Sequence, residues 1–151
     1  MSHAGLARYL MSDEWYTPKS VFDELNVTFD LDVAAPKGGT GLVPALRSYC
    51  LEDDGLSSPW FGRVWMNPPY SKPAPWVDKW LTHGNGVALL PMAKSRWMNY
   101  LMDSEASFRL LPSNFKFVSP EGKPISLMMG SMLWAIGDDN VDAIKRVGKV
   151  R

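Results

Sequence analysis

Apolar positions along the 151-residue chain come in short runs, each closed by proline, glycine or a cluster of small polar residues. Val21, Phe22 and Leu25 share one helical face. They predict a short helix over 18–25, with Thr17 as N-cap and Pro18 at the first helical position. "VTFDLDVAA" (27–35) alternates and runs out in "PKGGTG", a strand followed by a loop. "GLVPALRSYC" (41–50) is ambiguous, and Pro44 allows a short helix at most. "EDDGLSSPWFG" (52–62) reads as loop and "RVWM" (63–66) as a buried strand. Residues 74–84 predict a helix with Trp76, Val77 and Trp80 on one side and Gly84 as the stop. "GVALLP" (86–91) is a second buried strand. Residues 95–105 predict a helix with Trp97, Tyr100 and Leu101 on one face. Strands follow at 107–112, 114–119 and 125–137, and a helix at 138–148 opens with Asp and closes with Lys and Arg before Gly148.

Strands alternating with helices imply an α/β domain: a largely parallel sheet with helices on its faces, and an antiparallel hairpin of the last strands at one edge. In such sheets ligands bind beyond the carboxyl ends of the strands. That directs attention to "VWMNPPYSK" (64–72), where a strand stops abruptly at Asn67, Pro68, Pro69 and Tyr70. Proline ends a strand because it lacks an N–H and fixes φ. An amide oxygen, a prolyl carbonyl and an aromatic ring are left at the tip. Two acceptors can hold the two hydrogens of an exocyclic amine, and the ring offers a face on which a base extruded from a duplex can stack.

Composition narrows the chemistry. The single Cys50 excludes an internal disulfide and a cysteine-based metal site, and points to a reducing compartment. His3 and His83 do not form a zinc pattern, so no metal is expected. No apolar run reaches the ~18 residues of a membrane helix, and the first fifteen residues lack a signal-peptide layout. Net charge is zero, but it is unevenly spread. Residues 1–62 carry four basic and nine acidic side chains (−5), and residues 63–151 carry twelve basic and seven acidic (+5). An acidic half suits a cationic small molecule and a basic half suits phosphate; a solvated basic tail explains the second as well.

"NPPY" resembles the [DNS]-P-P-[YFW] motif of amino-group methyltransferases. With "DEWYTP" (13–18), "FDLDVAA" (29–35) and "DGLSSPWFGRVWMNPPYS" (54–71) in that order, the chain resembles the phage and prophage DNA N6-adenine methyltransferase (Dam-like) family. The resemblance implies a compact Rossmann-like class I methyltransferase sheet in a single domain over 1–151, with 1–12 as a flexible N-terminal arm. It implies S-adenosylmethionine as cofactor, double-stranded DNA as partner and the bacterial cytoplasm as location. Asn67, Pro68, Pro69 and Tyr70 would then serve the target adenine. Trp15, Thr17 and Pro18 would close over the methionine end of the cofactor. Asp30 and Asp32 would lie beside the cofactor, and Asp53 or Asp54 with Gly55 and Leu56 would line its adenosyl side.

The pattern also departs from that family's usual form. A Gly-x-Gly turn straight after the first strand is missing, and the glycines come late, at 38, 39 and 41. About thirty residues separate Asp32 from the NPPY strand, where a single βαβ unit takes roughly 30. One or more units must therefore be shortened or lost. Little room remains for a separate DNA-recognition domain, which leaves loops such as 71–76 and 112–124, the tail, or the second subunit of a homodimer. Cytosine N4, RNA adenine and a glutamine amide are alternative targets of the same chemistry. A catalytically weak DNA- or partner-binding module is the alternative from another class.

Overall fold

The computed structural model describes residues 15–127 and 129–148. The predicted N-terminal arm and the first two residues of "DEWYTP" lie outside them. Six strands form one sheet: β1 (Phe29–Asp32), β2 (Ala45–Ser48), β3 (Val64–Met66), β4 (Gly86–Pro91), β5 (Ser107–Leu110) and β8 (Ser131–Ile136). Two more, β6 (Phe117–Val118) and β7 (Pro124–Ile125), pair as a separate antiparallel ribbon. The sheet order is β2-β1-β3-β4-β8-β5, parallel throughout except for β8, which runs antiparallel to both β4 and β5.

Among the described residues, four α-helices cover it. Helices α1 (Lys19–Leu25) and α4 (Asp138–Ile144) pack on one face, and α2 (Ala74–His83) and α3 (Arg96–Asp103) on the other. Strand β4 shows the period-2 logic that separates the two cores. Val87 and Leu89 join Phe22, Trp65 and Ile144 on the first face, whereas Ala88 and Leu90 join Trp80, Trp97 and Trp134 on the second. A strand buried on both faces reads as a continuous apolar run, which is why "GVALLP" was legible.

Several expectations need adjustment. Helix α1 starts one residue late: Pro18 occupies the N-cap position with extended backbone, and no side chain caps the helix. The ambiguous stretch 41–50 holds an edge strand, β2, and no helix. Its burial is poor, with Leu46 75% exposed, so it lacks the apolar signature of its neighbours. On α3 the buried face is Trp97, Met98 and Leu101, and Tyr100 is exposed. The predicted strand over 125–137 is two strands, because the chain leaves the ribbon after Ile125 and re-enters the sheet at Ser131. The antiparallel pairing falls at the expected end of the sheet. Its form is an inserted β8 flanked by β5, with the β6–β7 ribbon carried on the connection between them.

The shortening between Asp32 and the NPPY strand is present. Residues 33–44, which connect β1 to the parallel β2, contain no helix, and the return from β2 to β3 carries only a short 3-10 turn, Leu51–Asp53. Backbone bonds lace these loops together: the Ala35 N–H to the Tyr49 carbonyl (2.8 Å) and the Tyr49 N–H to the Asp32 carbonyl (2.8 Å).

Candidate active site

Strand order reverses at β1. From it the chain steps outward to β2, then crosses to β3 on the other side. The crevice outside the carboxyl ends at such a switch point is the preferred ligand site of open α/β sheets. A cavity of about 540 Å³ lies there, between the end of β1 and the end of β3. Its volume falls in the range of small-molecule and cofactor pockets.

Most of the sequence-predicted residues meet in its wall: Trp15, Thr17, Asp32, Asp54, Gly55, Leu56, Asn67 and Pro69. Asp32 is 5% exposed and its Oδ1 accepts only a 3.3 Å bond from the Ala34 N–H. Desolvation pushes its pKa up to about 7 from 3.8. Thr17 is buried as well, and its hydroxyl has no partner among the described residues. An under-bonded carboxylate and an orphaned hydroxyl beside one cavity are what a ligand rich in donors would satisfy.

The far wall is a loop held from outside. The Lys79 ammonium, on α2, donates to the carbonyls of Gly55 (3.3 Å), Leu56 (2.8 Å) and Ser58 (2.5 Å) and lies 5.1 Å from the centre of the Trp60 ring. Partial desolvation lowers its pKa, against the pull of Asp54. The Trp60 indole N–H binds the Gly55 carbonyl (2.7 Å), and its ring stacks near Trp76. At Gly55 a Cβ would come within 2.2 Å of the Val33 carbonyl oxygen, so only glycine lets this loop close against the end of β1.

Asn67 stands at the cavity's inner rim. Its Nδ2 donates to the Trp15 carbonyl at 2.6 Å, which fixes the carboxamide with Oδ1 as the remaining acceptor. No donor among the described residues binds that oxygen. Residues 15–17 thus act as a strap: Trp15 and Thr17 border the cavity, Trp15 holds Asn67, and Tyr16 pairs with Val118 of the ribbon through two backbone bonds (2.9 and 2.8 Å).

Tyr70 is turned away from this cavity. Its hydroxyl lies 3.4 Å from the Leu89 carbonyl, and its ring meets Phe117 of the ribbon edge to face at 6.1 Å. Burial raises its pKa above the ordinary phenol range. Pro68 is buried behind the turn. Asn67 therefore separates the cavity from the Tyr70 side.

Three predicted cofactor residues are not brought to the cavity wall. Asp30 lies at the opposite, amino edge of the sheet, where its Oδ2 accepts the Arg63 N–H (2.8 Å). Arg63 in turn donates to Asn140 Oδ1 (2.7 Å). Strand β1 carries Asp30 and Asp32 at different heights, and only the later one reaches the carboxyl edge. Asp53 is exposed and accepts from the Cys50 N–H (2.8 Å), a bond that holds its pKa low. Pro18 begins α1.

The sequence pattern places Trp65 in a buried strand and Trp76 on the apolar side of its helix, and gives Lys79 no role. Both tryptophans border the cavity while packing against the two cores. Lys79 follows Trp76 by three positions on the same helical face. That spacing was the available signal, but the partner carbonyls are about twenty residues away. Among the described residues no cluster of three metal-ligating side chains exists, and no helix is long and apolar enough to cross a membrane.

A mostly parallel sheet with a buried carboxylate ending its first strand and a cavity at the switch point is compatible with a Rossmann-like fold. Comparison with known proteins makes this specific. The family model for DNA N-6-adenine-methyltransferase (Dam) matches residues 7–126, and the chain belongs to that family. A DNA N-6-adenine-methyltransferase of Haemophilus phage HP1 (strain HP1c1) is 40% identical over 70 residues, which span 43% of this chain and 39% of that protein. No solved structure matches the chain.

Proposed function

We propose that this protein transfers a methyl group from S-adenosylmethionine to N6 of adenine in double-stranded DNA, using a shortened class I methyltransferase sheet. Family membership supports the reaction class, and the pinned carboxamide of Asn67 is the observation that carries the residue assignment.

The cavity fits the cofactor chemically. Asp32 is a buried acceptor in need of donors such as ribose hydroxyls or an ammonium, and the Thr17 hydroxyl is a free partner for a polar group. Trp76 and Leu56 offer apolar surface for an adenine ring. When bound, S-adenosylmethionine supplies an electrophilic methyl on a positively charged sulfur.

The chain's own work is positioning. The strap turns the Asn67 amide so that Oδ1 accepts one hydrogen of the adenine amine, and the Pro68 carbonyl accepts the other. Two acceptors on the amine raise electron density on its nitrogen and aim it across the rim toward the cavity. The Tyr70 ring, on the far side of Asn67, supports the extruded base by stacking. No general base is needed before transfer, because the electrophile is cationic. A phage enzyme of this kind works in the cytoplasm of the bacterial host.

The test is methyl transfer to duplex DNA by purified protein, with cofactor affinity measured in parallel by calorimetry. Asn67→Ala loses about 100-fold or more in rate while its cofactor affinity stays near that of the parent. Full activity in Asn67→Ala defeats the assignment. A parent protein that binds DNA but no cofactor points to a non-catalytic module.

A further inference from the structure

The β6–β7 ribbon is absent from the six-stranded sheet and from the cofactor cavity, yet it is fastened to the Asn67 corner at two points. The buried Phe117 meets the Tyr70 ring, and Val118 exchanges both backbone bonds with Tyr16 of the strap. The free end is a tight three-residue loop. The Ser119 N–H binds the Lys123 carbonyl (2.8 Å), the Gly122 N–H binds the Ser119 carbonyl (2.9 Å), and Gly122 has φ +82°. This is a turn followed by a left-handed residue, a standard closure for a rigid hairpin. The buried Ser119 hydroxyl accepts the Lys123 N–H (3.2 Å) and stiffens it further. Asn114, Lys116, Glu121 and Lys123 are exposed around it.

Its position follows from the topology. The ribbon lies on the β5-to-β8 connection, and because β8 is antiparallel that connection begins and ends at the carboxyl edge, the edge that carries Asn67. The charge there is one-sided. The segments leaving β3, β4 and β5 at this edge (67–73, 92–96 and 111–130) carry Lys72, Lys94, Arg96, Lys116 and Lys123 against the single acid Glu121. The cavity wall instead carries Asp32, Glu52 and Asp54 against Lys37 and Lys72, the last shared between the wall and the basic edge. A basic edge carrying a stiff ribbon beside a base-handling corner matches a polyanionic duplex. A two-stranded ribbon fits the major groove of B-DNA, which is about 12 Å wide.

We propose that the β6–β7 ribbon is the duplex-reading element of this protein. Lys116 and Lys123 contact phosphates on either side of the groove, and the side chains of Asn114 and Glu121 face base edges. The fastening to Tyr70 and the strap then registers the duplex against Asn67. This deepens the methyltransferase reading and rests on it for the identity of the duplex as substrate.

The experiment measures duplex-DNA affinity against salt concentration for the full chain and for Lys116→Ala/Lys123→Ala, with calorimetry of S-adenosylmethionine as the control for folding. The double variant is expected to lose at least about tenfold in affinity at 100 mM salt. Its log–log salt slope should fall by about two, one for each phosphate contact removed. Cofactor affinity should not change. An unchanged slope with intact cofactor binding overturns the proposal, as does an RNA duplex that competes as well as DNA, since the A-form major groove does not admit a ribbon. A reduced slope in a protein whose parent transfers no methyl group upholds the ribbon and removes the methyltransferase reading. An unchanged slope in an active enzyme does the reverse.

Discussion

On one side of Asn67 the sheet is built of β4 and β8, with every residue of β4 and five of the six in β8 buried between two helical layers. On the other side β2 exposes three of its four residues, and the connections before and after it contain no α-helix. The cavity leans on the second side. What replaces the lost helices there is hydrogen bonding: Lys79 on three carbonyls, Trp60 on Gly55, and Tyr49 bound across to β1. The protein thus hangs a loop-walled cavity from a rigid half-sheet, and Asn67 sits on the seam. The rigid half keeps the proposed acceptor in place, and the loops need only close around a ligand.

Mutation sharpens this contrast. The largest effect should come from the rigid half: Leu89→Ala removes a fully buried side chain and should cost about 2–5 kcal/mol in chemical denaturation. Asp32 comes next. Its pKa of about 7 is raised above the unfolded value. The folded protein therefore binds more protons than the unfolded chain between about pH 4 and 7, and Asp32's contribution to stability is lost as pH rises through 7. In the absence of cofactor, Asp32→Asn should raise the thermal midpoint at pH 8, with the gain vanishing toward pH 4. The same substitution should weaken cofactor binding by roughly tenfold or more and flatten its rise between pH 6 and 8. A parent protein whose cofactor affinity is flat over that range removes Asp32 from the site.

Lys79→Met should leave the rigid half intact and loosen the cavity wall. Cofactor affinity falls by roughly tenfold, about the worth of one charge-assisted hydrogen bond, with little change in turnover at saturating cofactor. An equal fall in turnover means that the loop reaches the reacting groups. The smallest effect belongs to the open edge: Leu46→Ala should shift stability by less than about 0.5 kcal/mol. A loss comparable with Leu89→Ala means that β2 is covered in solution.

The same contrast explains what the sequence disclosed. Continuous apolar runs marked β3 and β4, and helices with one apolar face were visible from their period. Strand β2 was not, because an exposed edge strand has neither alternation nor an apolar run, and Pro44 suggests a break. The NPPY turn was legible because two prolines and an amide at a strand end are costly without a purpose. Asp32 could be placed by its position at the end of a strand. That Asp30 and Asp53 lie off the cavity wall could not be read from pattern alone: their carboxylates accept from the N–H groups of Arg63 and Cys50, and such pairings appear only once the loops are folded. Lys79 was invisible for the same reason, since its partners are carbonyls that carry no side-chain signal. The strap's grip on Asn67 spans 52 positions and joins two motifs that were recognised separately.

The most direct test of the central claim is to incubate the protein with duplex DNA and S-adenosylmethionine carrying an isotopically labelled methyl group. The DNA is then digested to nucleosides and the label located by mass spectrometry. Label is expected on N6-methyladenine, and none above background with Asn67→Ala. Label on cytosine N4, or unlabelled DNA from a protein that binds both cofactor and duplex, contradicts it.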